Sequence, residues 1–433
     1  MKKIACLILI AAAFAACEPK VPEVKPIDIS VQLTSGGAAF SREGINVNLA
    51  SGDSSFDAVT DANGMVNFSV MVGVYSCTAS FKESVEGKLL NYNGSSTVTV
   101  TEGGSVSFDL PLSSSVSSQL IIKELYNGGC MDNSGAKNYQ MDKYIIVYNN
   151  SDTEVDASGM CIAMAQISNT AATNNYKGDN GETYFSEGWL PASYSIWWFQ
   201  DGVQVKIPAY SQISIAVNGA IDHTQTYANS VNLSNADYCM YDLESGFKNA
   251  NYYPAPSSSI PESHYMKTYV FGQGNAWPLP MLTAAPYLIM PDGDIKAFLN
   301  DPSHFENKSS NLSGNYAKIP QSWVLDALEV WSEADETKFY YRFPPTINTG
   351  YVVFASKLGY SIYRNVDKSA TEAIEGNASK LVYNYAGEAY AGSGDPSGID
   401  AEASIANGAR IVYSNTNNTA VDFHVRKVPS IKK

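Results

Sequence analysis

The sequence predicts an all-β protein: a small β-sandwich followed by a larger one that carries long insertions. Short runs such as Ile27–Leu33 (I-D-I-S-V-Q-L) and Val66–Val70 (V-N-F-S-V) alternate apolar and polar residues, which is the period of a strand with one buried face. Gly, Asn, Asp and Ser gather between such runs, where turns need positive φ or a local side-chain cap. The 28 Tyr, within an aromatic content of 12%, suit a pleated surface. With 433 residues and 45% hydrophobic content, the chain can bury full cores in two or three domains.

The first 16 residues read as a targeting segment. Lys2 and Lys3 supply a positive start, Ile4–Phe14 an apolar run, and Ala15-Ala16 small residues before Cys17. That apolar run is too short to span a bilayer as a permanent helix. Phe-Ala-Ala-Cys resembles the bacterial lipobox, in which the Cys is acylated and becomes the mature N-terminus. The resemblance implies that Cys17 carries the lipid; an ordinary secretory signal is the alternative. Residues 17–26 continue as a Pro-rich tether, E-P-K-V-P-E-V-K-P after the Cys, suited to an extended spacer. Losing Lys2 and Lys3 takes the balance of 28 basic and 43 acidic residues from −15 to −17, which argues against nucleic acid as a partner.

Residues 27–112 form the first sandwich, with seven alternating runs separated by turns. Within it, Thr60–Ser80 (T-D-A-N-G-M-V-N-F-S-V-M-V-G-V-Y-S-C-T-A-S) resembles the carboxypeptidase regulatory-like or prealbumin-like sandwich of exported bacterial proteins. The resemblance makes Asp61, Asn63 and Gly64 a hairpin turn, with Gly73 and Tyr75 entering the next strand. A calcium loop would need further oxygen ligands that this spacing lacks. Ser113–Ser118 (S-S-S-V-S-S) reads as a short linker.

Residues 119–433 form the second domain, organised on Gln119–Gly159. Leu120–Leu125 and Tyr144–Tyr148 read as a strand pair, and Asp156–Gly159 as a turn. I-I-K-E-L-Y-N-G-G, Y-I-I-V-Y-N-N-S-D and V-D-A-S-G-M together resemble the lamin-tail domain, an Ig-like sandwich. Asn149, Asn150, Ser151, Val155, Asp156, Ser158 and Gly159 match its turn and corner, while Ile145-Ile146-Val147 lacks its acidic strand position. Ile207–Asn218, Ala285–Asp292, Trp323–Trp331 and Tyr413–Val425 resemble its later strands. Insertions near 168–206, 219–284 and 360–410 stretch the pattern. Together with the lipobox, the whole resembles an uncharacterised family of surface lipoproteins from Gram-negative gut bacteria, defined only as a domain of unknown function.

Four Cys remain after Cys6 and Cys17, namely Cys77, Cys130, Cys161 and Cys239, and an oxidising compartment allows disulfides. Cys130 with Cys161 is the favoured pairing because both flank the same strand pair; buried free thiols are the alternative. The motifs assign no catalytic residue, metal ligand or cofactor. His223, His264, His304 and His424 stand at no metal-ligand spacing, and Gly272-Gln273-Gly274 reads as a turn.

One concentration stands out, Trp189–Phe199 (W-L-P-A-S-Y-S-I-W-W-F). In an extended strand Trp197 and Trp198 point to opposite faces and cannot share one core. Trp189, Tyr194, Trp197 and Trp198 are therefore the candidate binding residues, an aromatic platform for a sugar or planar ligand. The structural alternative is an insertion that folds over the sandwich and buries both Trp197 and Trp198. The expectation is a non-catalytic surface lipoprotein of the outer membrane that binds a nutrient, glycan or protein partner and serves a TonB-dependent transporter. Two alternatives stand beside it: a surface hydrolase drawing acids from Asp222, Asp301 or Glu306, and a structural adhesin or scaffold.

Overall fold

The structure, a computed structural model, describes residues 25–432 except 52–53, 86–87, 104–105, 117, 167, 171–183, 248, 308–313, 336, 386–387, 389 and 391–392. The leader, Cys17 and nearly all of the tether therefore lie outside the described residues. The chain divides into two compact units, one of residues up to Thr78 with Ser96–Pro111, the other of Ala79–Ser95 with Leu112–Lys433.

The first unit is all β. Its strands are β1 (Ile27–Ser35), β2 (Ala38–Ala39), β3 (Asn46–Ser51), β4 (Ser54–Val59) and β5 (Met65–Val70), with the parts within it of β6 (Gly73–Val85), β7 (Lys88–Val100) and β8 (Val106–Val116), whose remaining residues belong to the other unit. They run in the order β2-β1-β8-β7-β6-β3-β4, with β5 paired to β1. The alternation read from the sequence is the packing pattern: Ile29, Val31 and Leu33 of β1 are fully buried, as are Val47 and Leu49 of β3. Asp61–Gly64 make the expected turn. Asp61 Oδ1 accepts from the backbone N–H of Asn63 and Met65, both at 2.9 Å. Gly64 has φ +74°, and a Cβ there would fall 1.9 Å from the Phe40 carbonyl oxygen, so only glycine fits. The expected serine linker is corrected: Ser113–Val116 continue β8, paired with Asn93–Leu90 of β7. Serine is neutral enough in a ladder that backbone pairing overrides the composition.

The second unit is built on eleven principal strands. In chain order these are β9 (Leu120–Tyr126), β10 (Tyr144–Asn149), β11 (Cys161–Met164), β12 (Ser195–Trp198), β13 (Gln212–Ala216), β14 (Tyr238–Cys239), β15 (Lys267–Val270), β16 (Pro286–Ile289), β17 (Val324–Ala327), β18 (Ser361–Arg364) and β19 (Phe423–Arg426). Six form one sheet in the order β14-β13-β10-β9-β18-β19, and five form a second in the order β15-β12-β11-β16-β17. The pairing of β9 with β10, expected from the sequence, lies at the centre of the first sheet.

A central core lies between these sheets, with Ile122, Ile145 and Val147 on one side and Ile162, Trp197 and Leu288 on the other. Both outer faces are covered as well. Over β9 and β10, one outer core gathers Tyr126, Tyr144 and Ile146 with Val231, Leu233 and Ile260. Another gathers Ile121, Tyr148 and Tyr363 with Ile399, Ile411 and Tyr413. This double coverage explains why β9 and β10 read as nearly unbroken apolar runs: every residue of both strands is buried. The insertions supply that cover and also supply strands, since β12, β15 and β18 fall within them. They are integral layers of the sandwich, not loops hung upon it.

Polar pins close the layers. The register of β9 against β10 skips from Glu124↔Ile146 to Ile122↔Val147, leaving Lys123 as the extra residue. Lys123 is fully buried, and its ammonium bonds Glu402 and Gln212, each at 2.6 Å. Asp326 of β17 accepts from the Ile122 N–H at 2.6 Å and pairs with Arg364 of β18. Arg342 and Glu329, both fully buried, form a second pair, and Arg342 also donates to the Gln166 and Thr283 carbonyls at 2.7 and 2.6 Å.

All four described cysteines are free and buried, which corrects the Cys130–Cys161 pairing. Cys161 packs in a further core on the far side of the five-stranded sheet, with Ala163, Trp198 and Ile289. Cys130, in contrast, sits beside Asp142 and Ser230 near the outer core over β9. Closeness to one strand pair in sequence does not decide which face a side chain takes.

Candidate functional site

A cleft of about 590 Å³ opens beside the outer core of the six-stranded sheet. Ser214, Thr224, Ser230, Asn232, Asn235 and Lys432 are its polar lining residues; Val231 and Leu233 give it apolar surface. Ser214 projects from β13. The loop that carries most of the rest is held by its own backbone. Asp222 caps a short 3-10 turn, accepting from Thr224 N–H at 3.0 Å and from the Gln225 amide at 2.9 Å. Leu233 N–H returns to the Ile221 carbonyl at 3.0 Å. The last wall comes from far along the chain. Ser430 N–H donates to the buried Glu124 carboxylate at 3.0 Å, and Lys432 Nζ donates to the Asn229 carbonyl at 2.9 Å.

Beneath Ser230 lies a buried polar group. Ser230 Oγ donates to Asp142 Oδ2 at 2.6 Å, and the Tyr126 hydroxyl donates to the same oxygen at 3.0 Å. Asp142 Oδ1 has no hydrogen-bond partner among the described residues. Burial pushes this carboxyl above the ordinary range, opposed chiefly by the Ser230 hydrogen bond. The same burial, reinforced by Asp142, pushes the Cys130 thiol up to about 12, so that cysteine is not a nucleophile. Burial lowers Lys143 to about 8, and its ammonium bonds the Leu279 carbonyl at 2.6 Å.

His223 is fixed as the neutral imidazole. A carbonyl can only accept, so Nε2 donates to Gly219 O at 2.6 Å; in the neutral ring that leaves Nδ1 to accept from the Tyr139 hydroxyl at 2.6 Å. Burial lowers its pKa in the same sense. Gly219, at φ +55°, leaves room for the ring; a Cβ there would stand 2.7 Å from His223 Cε1.

The aromatic platform expected at Trp189–Phe199 is corrected. Trp197 and Trp198 do point to opposite faces of β12, but each face is covered. Trp197 is fully buried in the central core near Phe247, ring centroids 6.3 Å apart. Trp198 is buried in the core beyond β11 and lines a smaller cleft of about 300 Å³. Tyr194 makes the turn before β12 at φ +67°, its carbonyl accepting from Phe271 and Gly272 N–H, both at 2.9 Å. Trp189 is half-buried and donates its indole N–H to Glu187 at 2.9 Å. The four rings do not converge. Two are interior packing, one is a turn residue, and one lies at the surface.

The acids weighed for hydrolysis are occupied locally. Asp222 and Asp301 each cap a short turn, and hydrogen bonds to their carboxylates lower both pKa values. Glu306 lies in a short strand, Phe305–Asn307, against Tyr316. Among the described residues, no group of three or more His, Cys, Asp or Glu is placed to hold a metal ion. Sequence reading missed the cleft. Its residues are common Ser, Thr and Asn from distant segments, and no local signal marks them.

Fold and cleft define the class: an all-β protein of sandwich architecture with a polar cleft on the outer side of its larger sheet. A family model described as protein of unknown function (DUF4876) matches residues 209–380, the span that carries the cleft loop and β14 to β18. A crystal structure of a DUF4876 family protein from Bacteroides thetaiotaomicron is 19% identical, covering 92% of this chain and 95% of that one, with a TM-score of 0.54. That likeness supports the all-β sandwich fold. Both findings agree with the resemblance to a gut-bacterial domain of unknown function. A DUF3823 family protein from Parabacteroides merdae is 12% identical over 45% of this chain and 83% of that one, TM-score 0.18. A streptococcal ancillary pilin is 12% identical over 43% and 59%, TM-score 0.18. No curated protein matches the chain.

Proposed function

We propose that the protein is a surface lipoprotein, anchored in the outer membrane through acylated Cys17, that binds a nutrient, glycan or protein partner without turning it over and serves a TonB-dependent transporter. In this reading the first unit is the regulatory-like spacer and the second the lamin-tail-like binding body. The cleft beside Ser230 carries the proposal. Its lining sets hydroxyl- and amide-bearing residues beside an apolar wall, the mixture suited to a small polar ligand. The binding reading is favoured over hydrolysis because Asp222 and Asp301 spend their carboxylates on turn caps. Among the described residues no helix is long and apolar enough to cross a membrane.

Saturation-transfer NMR with a panel of free monosaccharides and short host-type glycans tests the cleft. Asn235→Trp places an indole in it from an exposed position and should abolish the signal while the melting temperature holds. Unchanged binding in that variant, or release of reducing sugar on incubation, refutes the proposal. Cys17→Ala should move the chain from the membrane fraction to the soluble one.

A further inference from the structure

We infer that the first unit pairs with a second copy of this chain through the free edge of β4, joining two sheets into one. β4 ends its strand order, and among the described residues no strand is hydrogen-bonded to its outer side. Ser54–Val59 are exposed throughout except for half-buried Ala58. Phe56 and Val59 are 37% and 60% exposed. Sheet edges are ordinarily blunted by Pro, by Lys or by a bulge, and β4 has none of these. Its one charge, Asp57, accepts the side-chain amides of Asn46 at 3.1 Å and Asn48 at 3.0 Å, so it does not guard the edge.

The backbone shows which groups are open. The β3–β4 register pairs Asn46 with Val59 and runs to Ser51 with Ser54. One step beyond it, Thr60 N–H donates to the Ile45 carbonyl at 2.9 Å. Hydrogen-bonding direction alternates along a strand. The even-numbered residues therefore turn their N–H and C=O toward β3, and Ser55, Asp57 and Val59 turn theirs outward.

A two-fold axis normal to the sheet lays a second β4 antiparallel and keeps like faces together. Centring that axis on Asp57 would oppose two carboxylates, which is unfavourable. Centring it on Phe56 sets each Ser55 opposite the other copy's Asp57, with outward groups facing outward groups, for about four backbone hydrogen bonds. The two Phe56 residues then form a non-hydrogen-bonded pair with Cα atoms roughly 4.5 Å apart. Phe56 already stands opposite buried Leu49 with its ring 6.4 Å from that of Tyr75, so its twin would carry the core across the seam. A foreign strand could satisfy the backbone equally. It would also have to present a small polar residue to Asp57 and an aromatic to Phe56, and a second copy brings both in register.

The test uses the full chain in detergent micelles. Phe56→Cys and Asp57→Cys variants are oxidised with copper phenanthroline beside the unsubstituted chain, whose described thiols are buried. Phe56→Cys should give at least about tenfold more covalent dimer than Asp57→Cys, because Cα atoms more than about 7 Å apart cannot be bridged. Ser55→Pro removes one outward N–H and leaves the β3 ladder intact, and it should reduce the mass by light scattering to that of one chain. A single-chain mass for the unsubstituted protein at every concentration overturns the inference. So does equal cross-linking at positions 56 and 57, or a Ser55→Pro variant that stays dimeric.

Discussion

Arg364 and Asp326 form an ion pair that joins the two sheets of the second unit, one residue from β18 and the other from β17. Both are almost wholly buried. Asp326 also takes the Ile122 N–H that the irregular register of β9 leaves over, and Arg364 Nε donates to the Ile122 carbonyl at 2.7 Å. The pair thus closes backbone groups that neither sheet satisfies alone. Arg364→Met should cost about 3–5 kcal/mol, because it strands a buried carboxylate. Adding Asp326→Leu should recover part of that loss. All six Trp fall in the second unit, so urea unfolding followed by Trp fluorescence reads this unit alone.

Asp142 gives a pH dependence with a definite sign. Burial raises its carboxyl above the ordinary 3.8, so the folded state prefers the protonated form. That contribution is fully present below 3.8 and is lost as pH rises through the raised value. The stability of the native protein relative to Asp142→Asn should therefore fall as pH rises from 3.8 through the raised value. Urea midpoints of the two chains across that range check it; a constant difference would sink the assignment.

Trp197 and Trp198 should behave as core residues. Changing either to Ala should cost roughly 3–5 kcal/mol, the range for an emptied aromatic site. Trp189→Ala should cost less, about 1 kcal/mol, since its side chain is only partly buried. Denaturant curves of the three variants separate these roles, and ligand binding in the cleft should survive in Trp189→Ala.

The thiols of Cys77, Cys130 and Cys239 are each pushed up to about 12 by burial, and burial raises Cys161 as well. Ellman's reagent should leave these four unmodified in the folded protein and modify all of them in guanidinium. A reducing agent should leave the unfolding midpoint unchanged. A shift on reduction would show a disulfide that the structure lacks.

The sandwich was legible because local pattern and packing agree. Leu120–Leu125 and Tyr144–Tyr148 announce a strand pair by apolar content, and adjacency of Trp197 and Trp198 shows that two layers must exist. What covers each layer was not legible. The residues that bury Tyr148 include Ile399 and Ile411, more than 240 positions away, and nothing near Tyr148 points to them. Cys130 and Cys161 flank one strand pair in sequence, but Cys161 packs in the core beyond the five-stranded sheet while Cys130 sits by Asp142 and Ser230. The cleft was hidden for a similar reason. Ser214, Ser230 and Lys432 are ordinary surface types, and only the return of Ser430 to Glu124 brings the last of them into place.

The central sheet has a further consequence for how the molecule forms. Its strand at residues 120–126 needs a neighbour at 361–364, and that neighbour needs one at 423–426. The apolar strand at 120–126 thus keeps an incomplete sheet beside it until the segment at 423–426 has docked. Such long sequence separation between partners slows folding. For this chain that strand should be the part most open to aggregation or proteolysis while its later partners are still free.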